Sequence, residues 1–376
     1  MFCHAADRYT ILHRFDKGAN DSNNQEAIRP LLHGDVLYAS TRGNNTDKKG
    51  NLFRLNKDGT GFAVMHEFVG GDADGHSPCG ALIADGDRLY GMTSRGGRGK
   101  GGVMFRLKPD GSDYTVLHVF QGWYYDGDTP YGTLLLDAGK FYGLTARGGT
   151  NDSGVLFRIN KDGSDFALLR CFSGGRADGA TPYGSLTADA AAFYGTTFAG
   201  GSRNKGVLFR VNKDGSDYKV LHHFTGGFDN GSNPAGSLLV HGDLLIGMTF
   251  DGGSGDKGII FSIHKDGTGF RILRNFPSNG AEGSHPHGSL ALHNETLYGV
   301  TRTGGRGEAG VLFSLKPDGK QFTVLRRFAD PSSHTTTDDG IEPYGSLSVH
   351  ENTLYGMTRR GGKGGGVLFR YALSTP

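Results

Sequence analysis

The sequence predicts an all-β fold, a seven-bladed β-propeller closed by its own two ends, and three observations carry that prediction. Asp-Gly recurs every 52 residues, at Asp58, Asp110, Asp162, Asp214, Asp266 and Asp318, and a period of this length marks a repeat architecture. Each unit holds four short runs rich in Leu, β-branched and aromatic residues, separated by Gly and Asp turn signals. The two ends of the chain are complementary fragments of one further unit.

The unit from Pro130 to Phe172 shows the elements in order. An inner strand, Pro130-Tyr-Gly-Thr-Leu-Leu-Leu, turns at Asp137-Ala-Gly-Lys into a second strand, Phe141-Tyr-Gly-Leu-Thr. After a Gly148-Gly turn comes a third strand, Gly154-Val-Leu-Phe-Arg-Ile. A Lys161-Asp-Gly-Ser hairpin then leads to the outer strand, Phe166-Ala-Leu-Leu-Arg-Cys-Phe. Four antiparallel strands in series describe a propeller blade. The second and third strands are nearly continuously apolar, as expected of sheets covered on both faces. Second-strand positions Tyr38, Tyr90, Tyr142, Tyr194, Ile246, Tyr298 and Tyr355 count seven blades. The chain starts with a lone outer strand, Tyr9 to Phe15, and stops after a third strand, Gly366 to Tyr371. Pairing 9–15 with 366–371 completes the seventh blade and removes the exposed edges of an open array. Residues 1–376 therefore read as one domain.

Composition narrows the function classes. Gly accounts for 65 of 376 residues and recurs at fixed offsets, which is turn chemistry rather than low complexity. The net charge is +2 with both signs interspersed, so nothing points to nucleic acid. Apolar stretches are strand-sized, too short to span a membrane as a helix. The first residues lack the basic and apolar regions of a secretory signal. Cys3, Cys79 and Cys171 show no paired spacing, so reduced thiols and cytoplasmic residence are expected. No nucleophile elbow, phosphate-binding loop or His-Glu-x-x-His occurs. Asp72-Ala-Asp74 and Asp126-Gly-Asp128 are fragments of calcium loops without the remaining ligands. No metal, no cofactor and a monomeric state are expected.

The pattern Leu-Tyr-Gly-x-Thr-x-x-Gly-Gly, Gly-Val-Leu-Phe-Arg-Leu, Asp-Gly-Ser-x-x-x-Val-Leu-His-x-Phe resembles the GloVer-type tandem repeat of bacterial proteins, over essentially the whole chain. That resemblance implies the architecture and leaves the function open. The doubled Gly is also similar to kelch repeats, but the single Trp123 cannot supply one Trp per blade.

The repeat is its own control: a residue present in every copy reads as scaffold, and function is sought where copies disagree. Outer-strand His13, His66, His118 and His222, with Arg170, Arg274 and Arg326 at the same position, are expected as solvated rim residues. Third-strand Arg54, Arg106, Arg158, Arg210 and Arg370 also read as scaffold. The Gly-Gly turns and the blade-to-blade connections share one face, here the top, and the disagreements fall there. The variable residue of Pro-x-Gly is Cys79, Tyr131, Tyr183, Ala235, His287 and Tyr344 in turn, and the residue before each Pro is Ser77, Thr129, Thr181, Asn233, His285 and Glu342. Blades 6 and 7 thus juxtapose His285, His287, Glu342 and Tyr344, residue types suited to general acid–base chemistry. Cys79 reads as a small filler.

After the second-strand Thr, five adjacent blades carry Arg302, Arg359 with Arg360, Arg42, Arg95 and Arg147, whereas blades 4 and 5 carry Phe198 and Phe250. A cationic arc facing an aromatic one suits an anionic or amphiphilic ligand. The Phe328-to-Pro343 connection is longer than its counterparts and is expected to overhang blade 7, and Trp123-Tyr-Tyr125 offers a stacking surface. Seven equivalent lectin sites would repeat the same polar set, and these do not. The expectation is an enzyme with one site over the channel and lyase-type proton transfer on a small-molecule or glycan ligand such as a uronate. His285 or His287 would be the base and Tyr344 or Tyr131 the acid, with Arg302 and Arg359 neutralising the carboxylate. Seven-bladed polysaccharide lyases are similar in architecture and in using His, Tyr and Arg together, although no lyase-specific motif occurs. The alternatives are a cyclase or alkylating enzyme of secondary metabolism, and a non-catalytic glycan- or protein-binding scaffold.

Overall fold

In the computed structural model, residues 8–16, 29–43, 49–329 and 339–374 are described. Seven antiparallel sheets stand in a ring, two of them with a short two-stranded extension, and the described residues contain no helix. The closure follows the predicted pairing. Tyr9–Asp16 lies antiparallel to Gly364–Ala372, with Tyr9 opposite Tyr371 and Arg14 opposite Val367. The connection between Phe328 and Pro343 falls largely outside the described residues.

Two features of the repeat have direct steric causes. Six of the seven second strands carry a Gly, where blade 1 has Ala39, because the third-strand Phe packs on its bare Cα. A Cβ on Gly143 would lie 2.4 Å from the tip of the Phe157 ring. Neighbouring inner strands also approach so closely at Pro-x-Gly that a Cβ on Gly236 would meet the Gly288 carbonyl oxygen at 2.3 Å. Between blades, one Phe per repeat ends the outer strand and is fully enclosed, as with Phe120, Phe172 and Phe224. Burying each such ring stabilises the fold by about 1.5–3 kcal/mol.

The outer-strand His and Arg residues are not solvated heads, as the sequence suggested, but half-buried links between blades. Each stacks on an aromatic ring of the following blade. His66 lies 3.8 Å from Tyr114, His118 4.0 Å from Phe166 and His222 4.0 Å from Phe270. Where Arg replaces His, the guanidinium covers the same ring, with Arg170 3.4 Å from the Tyr218 centroid and Arg326 3.5 Å from that of Tyr9. A polar residue in the connecting loop adds to the described links other than that of His13. Asp74, Asp126, Asp178, Asn230 and Asp339 contact His66, His118, Arg170, His222 and Arg326 in that order. Asp74 and Asp126, the supposed calcium-loop fragments, belong to these links.

The links predict an acid limit to stability. Burial raises the Asp178 carboxyl pKa, but hydrogen bonds from Ser173, Tyr218 and Gly179 outweigh it and hold the group below the usual Asp value. A carboxylate depressed in the fold stabilises it fully above the unfolded pKa, about 4, and loses that contribution as pH falls through the folded value. Asp178→Asn is therefore expected to lower the melting temperature near neutrality and to flatten its decline below about pH 4. Thermal melts across that range check it, and parallel acid limbs for the two proteins would contradict it.

Candidate functional site

The mouth of the central channel is built from strained but repeated backbone. The residue before each Pro adopts a left-handed conformation, with φ of 57° at Ser77, 54° at His285 and 54° at Glu342. A non-Gly residue before Pro is normally excluded from this region. In each copy its amide reaches back to the preceding blade: Ser77 to the Lys49 carbonyl, His285 to Lys257 and Glu342 to Ala309, at 2.7–2.8 Å. The strain is thus a structural strut, common to all six copies, and it turns the residue after Pro towards the channel.

A cavity of about 210 Å³ results, lined by Arg42, Pro78, Cys79, Tyr131, Tyr183, Phe198, Ala235, Phe250, His287 and Tyr344. Its aromatic members run in two separate chains of contacts. Tyr131 meets Tyr183 edge-on at 5.0 Å, Tyr183 meets Phe198 at 5.1 Å, Phe250 meets His287 at 5.9 Å and His287 stacks on Tyr344 at 3.8 Å.

The arginines do not form the single five-blade arc that the sequence suggested. Arg42, Arg302 and Arg359 directly follow the second-strand Thr, as Phe198 and Phe250 do; Arg42, Phe198 and Phe250 line the cavity, whereas Arg302 and Arg359 do not line it and lie over the ring of Tyr344, which does. Arg95, Arg147 and Arg360 come one residue later, where strand alternation sends the side chain to the opposite side, and all three are exposed. The cationic wall is therefore confined to blades 6, 7 and 1. Arg302 and Arg359 lie 5.6 and 5.9 Å from the Tyr344 ring, and Arg42 lies 5.4 Å from the Tyr131 ring while donating to its hydroxyl at 3.4 Å. Glu342 holds this wall together, 3.9 Å from Arg302, 3.5 Å from Arg359 and 3.4 Å from Arg360. It is placed to position the arginines rather than to meet a ligand itself.

The two histidines have separate surroundings. His287 is a neutral imidazole, its pKa lowered to about 3 by burial and then by Arg302 and Arg359, against a hydrogen bond with the Tyr344 backbone. Its Nδ1 is buried without a hydrogen-bond partner among the described residues. His285 does not line the cavity. Its Nδ1 lies 3.0 Å from Thr303 Oγ1 and its Nε2 3.6 Å from Asp251 Oδ1. Burial lowers the His285 pKa and raises that of Asp251, drawing the pair towards its neutral form. Sequence reasoning missed Asp251 and Thr303, although both occupy the second position after the Thr, where the copies also disagree. Burial likewise raises the Tyr344 phenol, and it pushes the Cys79 thiol up to about 12. That thiol donates to the Pro130 carbonyl at 2.8 Å, which fits a filler and not a nucleophile. Trp123, Tyr124 and Tyr125 are exposed on the blade 2–3 connection and do not line the cavity. Among the described residues no group of three or more His, Cys, Asp or Glu is placed to share a metal ion.

The Gloeobacter/Verrucomicrobia repeat family matches residues 2–191 and 163–336. No curated protein matches the chain in sequence. Among solved structures, an oligogalacturonate lyase in complex with manganese is similar at 14% identity and a TM-score of 0.55, covering 97% of this chain and 96% of that one. The oligogalacturonate lyase from Vibrio parahaemolyticus gives 12%, 0.56, 97% and 93% for the same quantities. A puromycin-hydrolysing peptidase from Mycobacterium tuberculosis matches at 14% identity and a TM-score of 0.58, over 94% of this chain and 52% of that chain. At these identities the likeness is one of fold, a fold that carries enzymes of unrelated chemistry.

Proposed function

The chain belongs to the Gloeobacter/Verrucomicrobia repeat family, and we propose that this member is an enzyme whose one active site is the channel mouth. The proposed reaction is β-elimination on an anionic substrate such as a uronate-containing glycan. The observation that carries this reading is the contact of a neutral imidazole, His287, with a protonated phenol, Tyr344, beneath a cationic wall formed by Arg302 and Arg359.

The roles follow from the geometry. Arg302 and Arg359 take the substrate carboxylate and stabilise the charge that develops on it when the adjacent carbon loses its proton. His287 is a weak base in the free protein because burial and two cations oppose its protonation. A bound carboxylate offsets those cations, so substrate raises the basicity of the group that attacks it. His287 takes the proton, its electron pair forms the new double bond, and the bond from the β-carbon to the leaving oxygen breaks. Tyr344 or Tyr131 supplies the proton to that oxygen, and Arg42 is placed to stabilise a Tyr131 phenolate. The apolar wall of Tyr183, Phe198 and Phe250 favours a second reading, a cyclase or alkylating enzyme acting on a substrate with a polar head and an apolar body.

His287→Phe tests the proposal, because it keeps a ring against Tyr344. Turnover of oligouronates, read as absorbance of the conjugated product, is expected to fall about 10²–10⁴-fold, as for loss of a general base, with little change in melting temperature. If the unmodified protein binds oligouronates and never forms that product, the site is a receptor and the enzymatic reading fails.

A further inference from the structure

Below the mouth, the channel widens into a cavity of about 570 Å³ whose lining includes no carboxylate. A belt of hydroxyls lines it across blades 3 to 7. The residue two positions before the start of each inner-strand pairing is Ala81, Thr133, Ser185, Ser237, Ser289 and Ser346 in blades 2 to 7. In that belt each backbone amide donates to the next blade's hydroxyl oxygen. Ala81 donates to Thr133, Thr133 to Ser185, Ser185 to Ser237, Ser237 to Ser289 and Ser289 to Ser346, at 2.7–2.9 Å. Each oxygen is thereby engaged as an acceptor, and the hydroxyl hydrogen is left to donate into the channel.

Blade 1 breaks the belt. Its register, Leu31 opposite Tyr38, puts Arg29 at the corresponding position. Arg29 lines the cavity, and its guanidinium has no hydrogen bond or ion pair among the described residues. Arg29 is exposed to the solvent of the channel and keeps its positive charge. Blade 2, beside it, carries Ala81 in place of a hydroxyl. One fixed positive charge and a belt of oriented donors, with no acid to neutralise them, form the complement of an oxyanion.

We infer that the channel is a second binding site, separate from the mouth, which holds an oxyanion on Arg29 and the hydroxyl belt. The anion is either free, as inorganic phosphate, or a carboxylate carried on a larger ligand. The inference does not depend on the chemistry proposed for the mouth.

Thermal melts with sodium phosphate or galacturonate, against chloride at equal ionic strength, test it. A ligand at a hundredfold its Kd raises the melting temperature of a domain of this size by a few degrees. That rise is expected in Arg359→Gln, whose mouth is altered, and is expected to vanish when Arg29→Gln is added to Arg359→Gln. The anion that produces it identifies the source: phosphate a free oxyanion, galacturonate a ligand-borne carboxylate. Arg29→Lys keeps the charge without the planar fork and is expected to retain a reduced shift, a control should Arg29→Gln fold poorly. No shift with either anion in Arg359→Gln, or an equal shift once Arg29→Gln is added to it, overturns the site.

Discussion

Arg359→Gln is expected to reduce kcat/KM about 10²–10³-fold, the usual cost of deleting one donor aimed at a developing charge. A second consequence separates this role from a structural one. Arg359 is among the groups that lower the His287 pKa to about 3, after burial and Arg302. Removing a cation beside an imidazole stabilises the protonated form, so the pKa rises. The acid limb of kcat/KM, which reports the free enzyme's base, is therefore expected to move to higher pH in the variant. Arg95→Gln is the internal comparison. Arg95 is exposed and stands one residue further from the second-strand Thr, so neither turnover nor the pH profile is expected to change. Equal losses in Arg95→Gln and Arg359→Gln would mean that general electrostatic attraction, and not a contact at the mouth, underlies the effect.

The sequence showed the blades clearly because a propeller repeats its solution to the same packing problem. Strand order, blade count and the pairing of Tyr9–Asp16 with Gly364–Ala372 were all readable from periodicity. What it showed poorly was the direction of individual side chains. Arg42 and Arg95 read as equivalent because each sits near a Gly-Gly turn, yet a one-residue offset in a strand reverses the face. Counting from Thr41 and Thr93 would have separated them. The outer-strand histidines were misjudged for a different reason. The outermost strand of a blade is solvated only if nothing from the next blade covers it, and Phe62, Tyr114, Phe166 and Phe270 do so. These rings recur with the same period as the histidines, so the pairing is present in the sequence as two coincident repeats. Arg29 was harder to see. Blade 1 lacks Pro-x-Gly, and only the observed pairing of Leu31 with Tyr38 aligns it with the hydroxyl belt.

The largest stability loss is expected from Asp339→Ala, at the joint where the ring closes. Asp339 is 3% exposed. It accepts hydrogen bonds from Arg326 at 2.7 Å, the Ala329 amide at 3.1 Å and the Gly340 amide at 2.9 Å. Arg326 in turn covers the ring of Tyr9, the first residue of the closing strand. Truncation leaves a partly buried guanidinium and two amides without their acceptor, and breaking such a buried pair costs about 3–5 kcal/mol. An exposed pair such as Lys320 with Asp318 contributes about 0–1 kcal/mol, so the surface variant Lys320→Ala is expected to go nearly unnoticed. Arg326→Met separates the two halves of the interaction. It keeps an apolar stem over Tyr9 and leaves both amides bonded to the carboxylate, so it is expected to cost less than Asp339→Ala. Chemical denaturation of the three variants measures the order. If Asp339→Ala proves no more harmful than the surface variant, the joint does not depend on this link, and closure rests on strand pairing and the buried rings of Phe328 and Phe369 alone.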